Sequence, residues 1–268
     1  MIITFIGGGN MATALIGGLE QEGGNELRVV DPNPEARQRL EREHTVRSFE
    51  DAAAALPGSD VVVLAVKPQV LIAILESIRA AVPREACVVS VAAGTTVAAM
   101  QSVLGADQPI VRTMPNTPAL LGVGATGLFA SDACSPADRS AAEAVMRAAG
   151  ATVWVDEEDL INAVTAVSGS GPAYYYLMTE ALAAAGERLG LPAETAQTLA
   201  AHTANGAGAM TLFGGADPEE LRRRVTSPGG TTQAAIAALQ DGGFEALVDA
   251  AAQAARDRGR ELAQGDEA

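Results

Sequence analysis

Apolar and polar residues follow one another along the first half of the chain in short blocks that predict alternating strands and helices. The strand-like blocks are short and strongly apolar, and they read IITFIG, ELRVVD, SDVVVLAVKP, ACVVSVAAG and the start of PIVRTMPNTPALLG. The blocks between them show helical spacing, as in MATALIGGLEQ, NPEARQRLERE, QVLIAILESIRAAV and TVAAMQSVLG. This order is typical of a parallel sheet with crossover helices. It predicts an α/β, Rossmann-like domain with a doubly wound, mostly parallel sheet over residues 1–160.

The second half of the chain shows helical spacing and no strand-like alternation. Three prolines stand near the starts of its helical segments, where a missing N–H group costs least, at Pro172, Pro192 and Pro218. We therefore predict an all-α domain over residues 161–268, with the boundary near residues 156–164. The tail AQGDEA is expected to fray.

Charge and composition narrow the classes of partner. The 268 residues carry 18 Lys and Arg against 33 Asp and Glu, a net charge of −15, and so acidic a surface repels nucleic acid and anionic membranes. No apolar run reaches the roughly 18–20 residues of a transmembrane helix, and the N-terminus lacks the basic start of a signal peptide. Cys87 and Cys134 have neither CxxC nor metal-ligand spacing, which favours reduced thiols. We expect a cytoplasmic protein that binds no nucleic acid, membrane or metal.

A glycine-rich turn joins the first predicted strand to the first predicted helix. The segment IGGGNMA gives Gly7-x-Gly9-x-x-Ala12, the spacing of dinucleotide-binding turns. Gly7 permits a tight turn, Gly9 lets a pyrophosphate approach the backbone, and Ala12 lets the helix approach the strand. The N–H groups at the helix start then face the phosphates. The alternative interpretation is a glycine turn without a ligand.

Asp31 ends the second predicted strand, where an acidic residue accepts hydrogen bonds from the adenosine ribose and favours NAD. Asn33 and Arg37 follow closely enough to meet the 2′-phosphate of NADP instead. A third interpretation is that Asp31 caps the next helix. The sequence therefore leaves the choice between NADH and NADPH open.

Two further strand ends carry small residues that suit contact with the ribose and nicotinamide, Ala65–Pro68 and Ala92–Gly94. The first of them contains Lys67, the only lysine among the 18 basic residues of the chain. A single lysine among so many arginines indicates a role for the ammonium group of Lys67. The alternative interpretation is that Lys67 is an ordinary surface residue.

Acid–base and nucleophilic groups are scarce in the rest of the chain. His44 and His202 are interpreted as structural or exposed, and no Ser-His-Asp or Cys-His arrangement has credible spacing. The turn VTSPGGTT is more informative, because Ser227 and the N–H groups around Gly229–Thr232 can form an anion-binding concavity at a helix start. A Pro-Gly turn in which Ser or Thr caps that helix explains the same residues equally well.

Taken together, these segments resemble one known family, the Δ1-pyrroline-5-carboxylate reductases. The resemblance spans nearly the whole chain, through IGGGNMA, AVKPQ, SVAAGTT, RTMPNTPAL, TAVSGSGPAYYYLMTEAL and LRRRVTSPGGTTQAAIAALQDGGFEALVDAA. The last of these is the most specific signature of the family. The resemblance implies NADPH- or NADH-dependent reduction of the cyclic imine 1-pyrroline-5-carboxylate to L-proline, the final step of proline biosynthesis.

The resemblance also implies roles for individual residues. The catalytic residue is Thr232, whose hydroxyl would hydrogen-bond the ring nitrogen of the substrate. The substrate-binding residues are Ser227, Gly229, Gly230, Thr231, Thr232 and Glu158. The cofactor-binding residues are Ile6, Gly7, Gly8, Gly9, Asn10, Met11, Ala12, Asp31, Asn33, Ala65, Val66, Lys67, Pro68, Ala92, Ala93, Gly94, Met114 and Asn116.

Members of the family form homodimers through interleaved C-terminal helices, often assembled further into decamers, with active sites shared between chains. The chain departs from the family at two places. Many members carry a polar, non-acidic residue where Asp31 stands, and many carry an Asn where this chain has DAAAAL. At the second place, the family's contact with the adenosine end of the cofactor is expected to be missing or rebuilt.

Two other functions compete with this one. A 3-hydroxyacid dehydrogenase shares the two-domain layout, but it would need a proton-transferring lysine in the helical half, and no lysine follows Lys67. A dinucleotide-sensing regulator without turnover is the second rival, because a fold by itself does not prove catalysis.

Overall fold

The structure, a computed structural model, describes residues 1–264. Residues 265–268 lie outside the described residues. They are the last four residues of the predicted helical domain and of its predicted tail. The chain divides into two compact units. The first comprises Met1–Ser170 together with residues 254–264, and the second comprises Gly171–Gln253.

The first unit is built on one eight-stranded sheet. Its strands are β1 (Ile2–Ile6), β2 (Glu26–Val30), β3 (Arg47–Phe49), β4 (Val61–Leu64), β5 (Cys87–Ser90), β6 (Ile110–Met114), β7 (Gly124–Ala130) and β8 (Gly150–Trp154). The spatial order is β3-β2-β1-β4-β5-β6-β7-β8, and every neighbouring pair is parallel except β6 and β7. The predicted doubly wound, mostly parallel sheet is confirmed. The strand order reverses between β1 and β4, which is where such sheets bind ligands.

Helices cover both faces of this sheet. They are α1 (Asn10–Glu22), α2 (Pro34–Glu43), α3 (Ala52–Ala55), α4 (Pro68–Ile78), α5 (Val97–Leu104), α6 (Pro136–Arg147) and α7 (Leu160–Val164). Successive residues of a strand point to opposite faces, so Val61 and Val63 join one apolar core while Val62 and Leu64 join the other. This double burial explains why the strand reads as an uninterrupted apolar run rather than an alternating one.

Short elements in the first half escaped the sequence pattern. The three-residue strand β3 contains Arg47 and Ser48, so it has no apolar run to reveal it. The four-residue helix α3 lies in DAAAAL, where the Asp51 side chain accepts a hydrogen bond from the Ala53 N–H group at 3.0 Å. Asp51 therefore caps this helix, a role that only the fold makes visible.

The second unit is entirely helical among its described residues. Its helices are α8 (Gly171–Arg188), α9 (Ala193–Phe213), α10 (Pro218–Arg224) and α11 (Thr231–Asp241), and α12 (Phe244–Gln264) begins in it. Small residues let α8 and α9 approach closely, since a Cβ on Gly186 would lie 3.2 Å from the Cβ of Ala196. No helix of the described chain is long and apolar enough to cross a membrane.

The compact units do not coincide with the predicted domains 1–160 and 161–268. The first unit continues through Ser170, and the end of α12 returns to it. The return is held by the ion pair between Arg260 and Asp159, whose partners lie far apart in the sequence. No local pattern in the sequence reports such a contact, so the return of α12 could not be predicted, and the predicted domains 1–160 and 161–268 stay predictions. The division of functions between the two predicted segments stays a prediction.

Candidate active site

The glycine loop after β1 contacts the turn after β4. Gly7 has a φ of +98°, a conformation that favours glycine, and a Cβ there would lie 2.6 Å from the carbonyl oxygen of Ala65. Two of the predicted cofactor elements, the glycine loop and Ala65–Pro68, are thus in direct contact at the point where the strand order reverses. Lys67 is exposed, and Pro68 is the first residue of α4.

The start of α1 is open to an anion. Its N-cap is Gly9, no side chain caps the helix, and a Cβ built on Gly9 meets no atom within 4 Å. The first N–H groups of a helix have no partner within the helix, and their partial positive charge attracts phosphate. The open space beside Gly9 and the uncapped helix start therefore fit the pyrophosphate of a dinucleotide.

Asp31 fastens the glycine loop to the end of β2. Its Oδ2 accepts a hydrogen bond from the Gly8 N–H at 2.8 Å, and its Oδ1 accepts one from the Asn33 N–H at 2.8 Å. The interpretation that Asp31 caps α2 is wrong, because the cap is Asn33, whose side chain accepts from the Glu35 N–H at 2.9 Å. The Asp31 carboxylate lies beside the glycine loop, where a ribose would be bound.

The basic side chains near Asp31 are engaged in hydrogen bonds and ion pairs within the protein. Arg37 Nη1 donates to the carbonyl oxygen of Asp31 at 2.7 Å, and its Nη2 lies 3.6 Å from Glu50 Oε2. Arg39 Nη2 donates to the carbonyl oxygen of Gly8 at 3.1 Å. Both guanidinium groups therefore bond backbone carbonyl oxygens of this region rather than the Asp31 carboxylate.

The turn after β5 is shaped by packing as well as by glycine. Ala92 is buried, whereas Ala93 and Gly94 are partly exposed. Gly94 has a φ of +77°, and a Cβ there would lie 3.3 Å from the Cβ of Leu262 near the end of α12. A side chain at position 94 would thus be strained and would also press on α12. The sequence alone suggested only the approach of a cofactor.

The loop after β6 rests on an unusual turn of helix. Residues Thr165–Gly169 form a π-helical segment between α7 and Ser170. Asn116 Nδ2 donates to the carbonyl oxygen of Ser168 at 2.9 Å, and Asn116 Oδ1 accepts from the Ala125 N–H at 2.9 Å. The amide of Asn116 therefore orders the loop. Single-turn π-helices are frequent at functional sites, but no sequence signal specifies one.

The Met114 side chain lies in the same area, because a Cβ on Gly169 would be 2.6 Å from Met114 Cε. The Met114 methyl group therefore occupies the space that a side chain at position 169 would fill. The predicted residues Met114 and Asn116 are therefore brought together with the π-helical segment TAVSG.

Glu158 is linked to a buried arginine that the sequence analysis missed. Glu158 Oε1 accepts hydrogen bonds from Arg112 Nη1 and from the Val97 N–H, both at 2.8 Å. The Arg112 side chain is 3% exposed. An apolar strand such as IVRTM gives one hint of such a pair, since a buried charge needs a partner. The predicted role of Glu158 in substrate binding stays a prediction.

The SPGG turn of the second unit leads into the uncapped helix α11. The N-cap is Gly230, no side chain caps the helix, and Gly229 has a φ of +72°. The interpretation that Ser or Thr caps this helix is therefore wrong. Ser227 and Thr231 are exposed and Thr232 is partly exposed, and within residues 1–264 none of the three hydroxyls has a hydrogen-bond partner. The Gly229 N–H donates to Gln233 Oε1 at 2.6 Å and the Gly230 N–H to the Ser227 carbonyl oxygen at 3.0 Å, whereas the N–H groups of Thr231 and Thr232 have no acceptor among the described residues. The helix start therefore offers free hydroxyls and two free N–H groups together, as an anion site requires.

The two histidines stay outside these groups of residues. His44 Nδ1 lies 3.0 Å from Glu20 Oε2 near the end of α2, and His202 lies on α9. Within residues 1–264 no group of three His, Cys, Asp or Glu side chains is arranged to hold a metal ion. Cys87 and Cys134 are both free.

Comparison with known proteins identifies relatives for both halves of the chain. Residues 158–262 match the family model described as pyrroline-5-carboxylate reductase dimerisation, and residues 2–94 match the model described as NADP oxidoreductase coenzyme F420-dependent. A pyrroline-5-carboxylate reductase of Pseudomonas aeruginosa is 48% identical over 264 residues, which cover 98% of this chain and 97% of the relative.

Solved structures agree with this assignment. A pyrroline-5-carboxylate reductase from Coxiella burnetii superposes with a TM-score of 0.93 at 40% identity and covers 97% of both chains. The pyrroline carboxylate reductase of Plasmodium falciparum, solved with NADP bound, gives a TM-score of 0.84 at 25% identity over 98% of both chains. The chain therefore belongs to the pyrroline-5-carboxylate reductase family.

Proposed function

We propose that the protein is a pyrroline-5-carboxylate reductase, which reduces the cyclic imine 1-pyrroline-5-carboxylate to L-proline with NADH or NADPH. Its identity to named relatives over nearly the full chain supports the activity. The observation that carries the chemistry is the uncapped start of α11, with free hydroxyls at Ser227 and Thr232. This feature suits a substrate that carries both a carboxylate and a ring nitrogen.

The first unit would hold the cofactor. The open start of α1 beside Gly9 suits the pyrophosphate, and Asp31 suits the adenosine ribose. The turns at Ala65–Pro68 and Ala92–Gly94 would line the remaining length of the crevice. Bound NAD(P)H supplies the hydride that adds to C2 of the imine, the carbon double-bonded to the ring nitrogen.

The second unit would hold the substrate. The carboxylate on C5 of the ring would accept hydrogen bonds from the Ser227 hydroxyl and from the free N–H group of Thr231. The Gly230 N–H, which donates to the Ser227 carbonyl oxygen at 3.0 Å, would have to be shared with the carboxylate. Thr232 would then orient the ring nitrogen, so that C2 presents one face to the incoming hydride. Fixed groups of this kind act by positioning, because the reaction needs no nucleophile from the protein.

Proton balance is simple in this scheme. The imine accepts hydride most readily when its nitrogen is protonated, and the electrons of the C=N bond then move to nitrogen and neutralise it. One proton from solvent is consumed for each hydride. The nitrogen loses positive charge during this step, so Thr232 is expected to orient the nitrogen rather than stabilise a developing charge.

The decisive experiment follows the absorbance of reduced cofactor in the presence of the purified protein and 1-pyrroline-5-carboxylate. We expect oxidation of NADH or NADPH that depends on the substrate and yields proline. Cofactor binding without substrate-dependent oxidation would instead establish the sensing regulator. Activity confined to hydroxy acids and the oxidised cofactor would establish the hydroxyacid dehydrogenase.

We infer further that the protein is a cytoplasmic homodimer formed through its C-terminal helices. The match of residues 158–262 to a dimerisation model supports the dimer, and the two free cysteines suit a reducing compartment. Because members of the family often form decamers, we propose that the dimers assemble further into a decamer. Light scattering measures the mass, and subcellular fractionation measures the location.

A further inference from the structure

We propose that the last turns of α12, around Gly259–Leu262, position the Ala92–Thr96 turn of the cofactor site and thereby raise its affinity for the dinucleotide. This inference rests on the proposed function, which assigns that turn to the cofactor. The residues of α12 involved touch neither cofactor nor substrate in the scheme above, so they are positioning residues.

The first contact is made on the turn itself. Three atoms of Leu262, its Cβ and its backbone carbon and oxygen, lie 3.3–3.4 Å from the position that a Cβ on Gly94 would occupy. Gly94 thus sits directly against the backbone of α12 in its left-handed conformation, with φ at +77°. The helix limits the movement of Gly94 away from the sheet.

The second contact fastens the helix end to the start of α7. Arg260 Nε donates to Asp159 Oδ1 at 3.0 Å, and Arg260 Nη2 also bonds Asp159 Oδ2, so the pair is two-pronged. Asn162 Nδ2 donates to the same Asp159 Oδ1 at 3.0 Å. A Cβ on Gly259 would lie 3.2 Å from Asn162 Oδ1, so the backbone of α12 lies against this cluster.

The third contact reaches the far end of the turn. Glu158, the neighbour of Asp159, accepts a hydrogen bond from the N–H of Val97, the first residue of α5. Glu158 is itself fixed by buried Arg112 at 2.8 Å. The turn is therefore held at Gly94 by α12 and at Val97 by Glu158. The adjacent acids Glu158 and Asp159 connect the two attachments.

Because the turn is held at both ends, its backbone is already ordered before the dinucleotide binds. Ordering a loop at the moment of binding costs free energy and weakens affinity. Release of the α12 end should therefore raise the dissociation constant and KM of the dinucleotide. The turnover number at saturating cofactor should stay the same, because the chemical groups are unchanged.

The test compares Arg260→Ala and Asp159→Ala, which each remove the ion pair that fastens α12, with Arg258→Ala in the full-length protein. Among residues 1–264, Arg258 pairs within α12, with Glu261 at 2.8 Å, so its removal is the matched control. We expect the first two variants to raise the dissociation constant of NADH, followed by its fluorescence, about two- to fivefold, the range for a partly exposed ion pair. The control should bind NADH as tightly as the wild type.

Hydrogen exchange of the segment 91–97 provides a readout that needs no cofactor. We expect faster exchange in this segment for Arg260→Ala and Asp159→Ala and not for Arg258→Ala. The charge-swapped double variant Asp159→Arg, Arg260→Asp should recover slow exchange and NADH affinity. Exchange and affinity equal to those of the control in both variants would overturn the inference. Failure of the wild type to reduce 1-pyrroline-5-carboxylate would overturn the proposed function and leave this exchange comparison intact.

Discussion

The carboxylate of Asp31 stands where the adenosine ribose is expected, and its charge bears on the choice of cofactor. It receives the Gly8 N–H, while Arg37 is turned to the backbone and to Glu50. A ribose 2′-hydroxyl can donate to a carboxylate, whereas a 2′-phosphate is repelled by it. We therefore expect the wild type to bind NADH more tightly than NADPH.

Asp31→Ser should reverse or reduce that preference. A serine hydroxyl can still accept from Gly8, but the negative charge is gone, so we expect the ratio of NADPH to NADH affinity to rise at least about tenfold. Fluorescence titration with both reduced cofactors measures the ratio. Glu35→Gln, which removes an exposed charge at the start of α2, should leave the ratio unchanged. An unaltered ratio in Asp31→Ser would refute the role of the charge.

The contribution of the Thr232 hydroxyl can be tested by itself, by replacing Thr232 with alanine. Thr232→Ala should lower turnover of 1-pyrroline-5-carboxylate by about tenfold, less than the roughly hundredfold or greater effect of a donor aimed at developing charge. Dinucleotide affinity should hardly change. Thr211→Ala, which removes a hydroxyl bonded to the Ala207 carbonyl oxygen within α9, is the control. Wild-type turnover in Thr232→Ala would remove Thr232 from the mechanism.

Helix α1 shows how two adjacent glycines differ once the fold is known. A Cβ on Gly18 would overlap the backbone carbonyl group of Ala148, at the end of α6, whereas a Cβ on Gly17 would lie 3.4 Å from His44 Cε1. We expect Gly18→Ala to destabilise the protein by about 1–3 kcal/mol through overpacking. Gly17→Ala should be neutral or stabilising by up to about 1 kcal/mol, because alanine favours helix. Urea unfolding measures both, and equal free energies of unfolding would contradict the close packing of α1 on α6.

The end of α1 is joined to the segment after α2 by Glu20. Hydrogen bonds from Thr45, assisted by His44, lower the pKa of Glu20 to about 2 from an ordinary 4.5. A depressed pKa in the folded state gives stability that is complete above pH 4.5 and disappears as the pH falls towards 2.

Glu20→Gln should therefore destabilise the protein at pH 7, and the deficit should shrink as the pH falls through the range 4.5 to 2. Urea unfolding at several pH values and a fixed protein concentration measures this deficit. Glu22→Gln, at an exposed position on the same helix, should show no such trend. A deficit that does not depend on pH would show that the charge of Glu20 is unimportant.

The second unit, taken as a single chain, leaves large apolar side chains in water. They include Tyr175, Tyr176, Leu177, Leu199, Leu212 and Phe213. Apolar surface of this extent marks an interaction site, and a second copy of the chain fits the dimerisation model that matches residues 158–262.

Leu177→Asp should disrupt the assembly, because a carboxylate buried in a subunit interface lacks a partner. Light scattering should then report a mass nearer to that of one chain, with loss of reductase activity. Val153→Asp changes an equally exposed residue on the edge strand β8 and should leave the mass unchanged. A full-sized assembly in Leu177→Asp would place the interface elsewhere.

Some features of the candidate site depend on neighbouring residues in the sequence, and others depend on contacts between distant residues. The Gly7–Ala12 loop and the SPGG turn could be predicted from sequence, because their glycines and hydroxyls specify local backbone geometry. Arg112 with Glu158, and Asp159 with Arg260, could not, since 46 and 101 residues separate the partners. The cap of α11 also required the structure, because Ser227 suits a cap and an anion site equally well.

By itself, the sequence determined the class of fold, the location of the glycine loop and the family resemblance. These depend on hydrophobic period, turn residues and motif spacing, which act over a few neighbouring residues. Only the tertiary structure decided that Asn33 rather than Asp31 caps α2, that Gly94 accommodates α12, and that the end of α12 belongs with the first unit. Those features depend on which distant groups come within hydrogen-bond or van der Waals distance, and that is set by the packing of the whole chain.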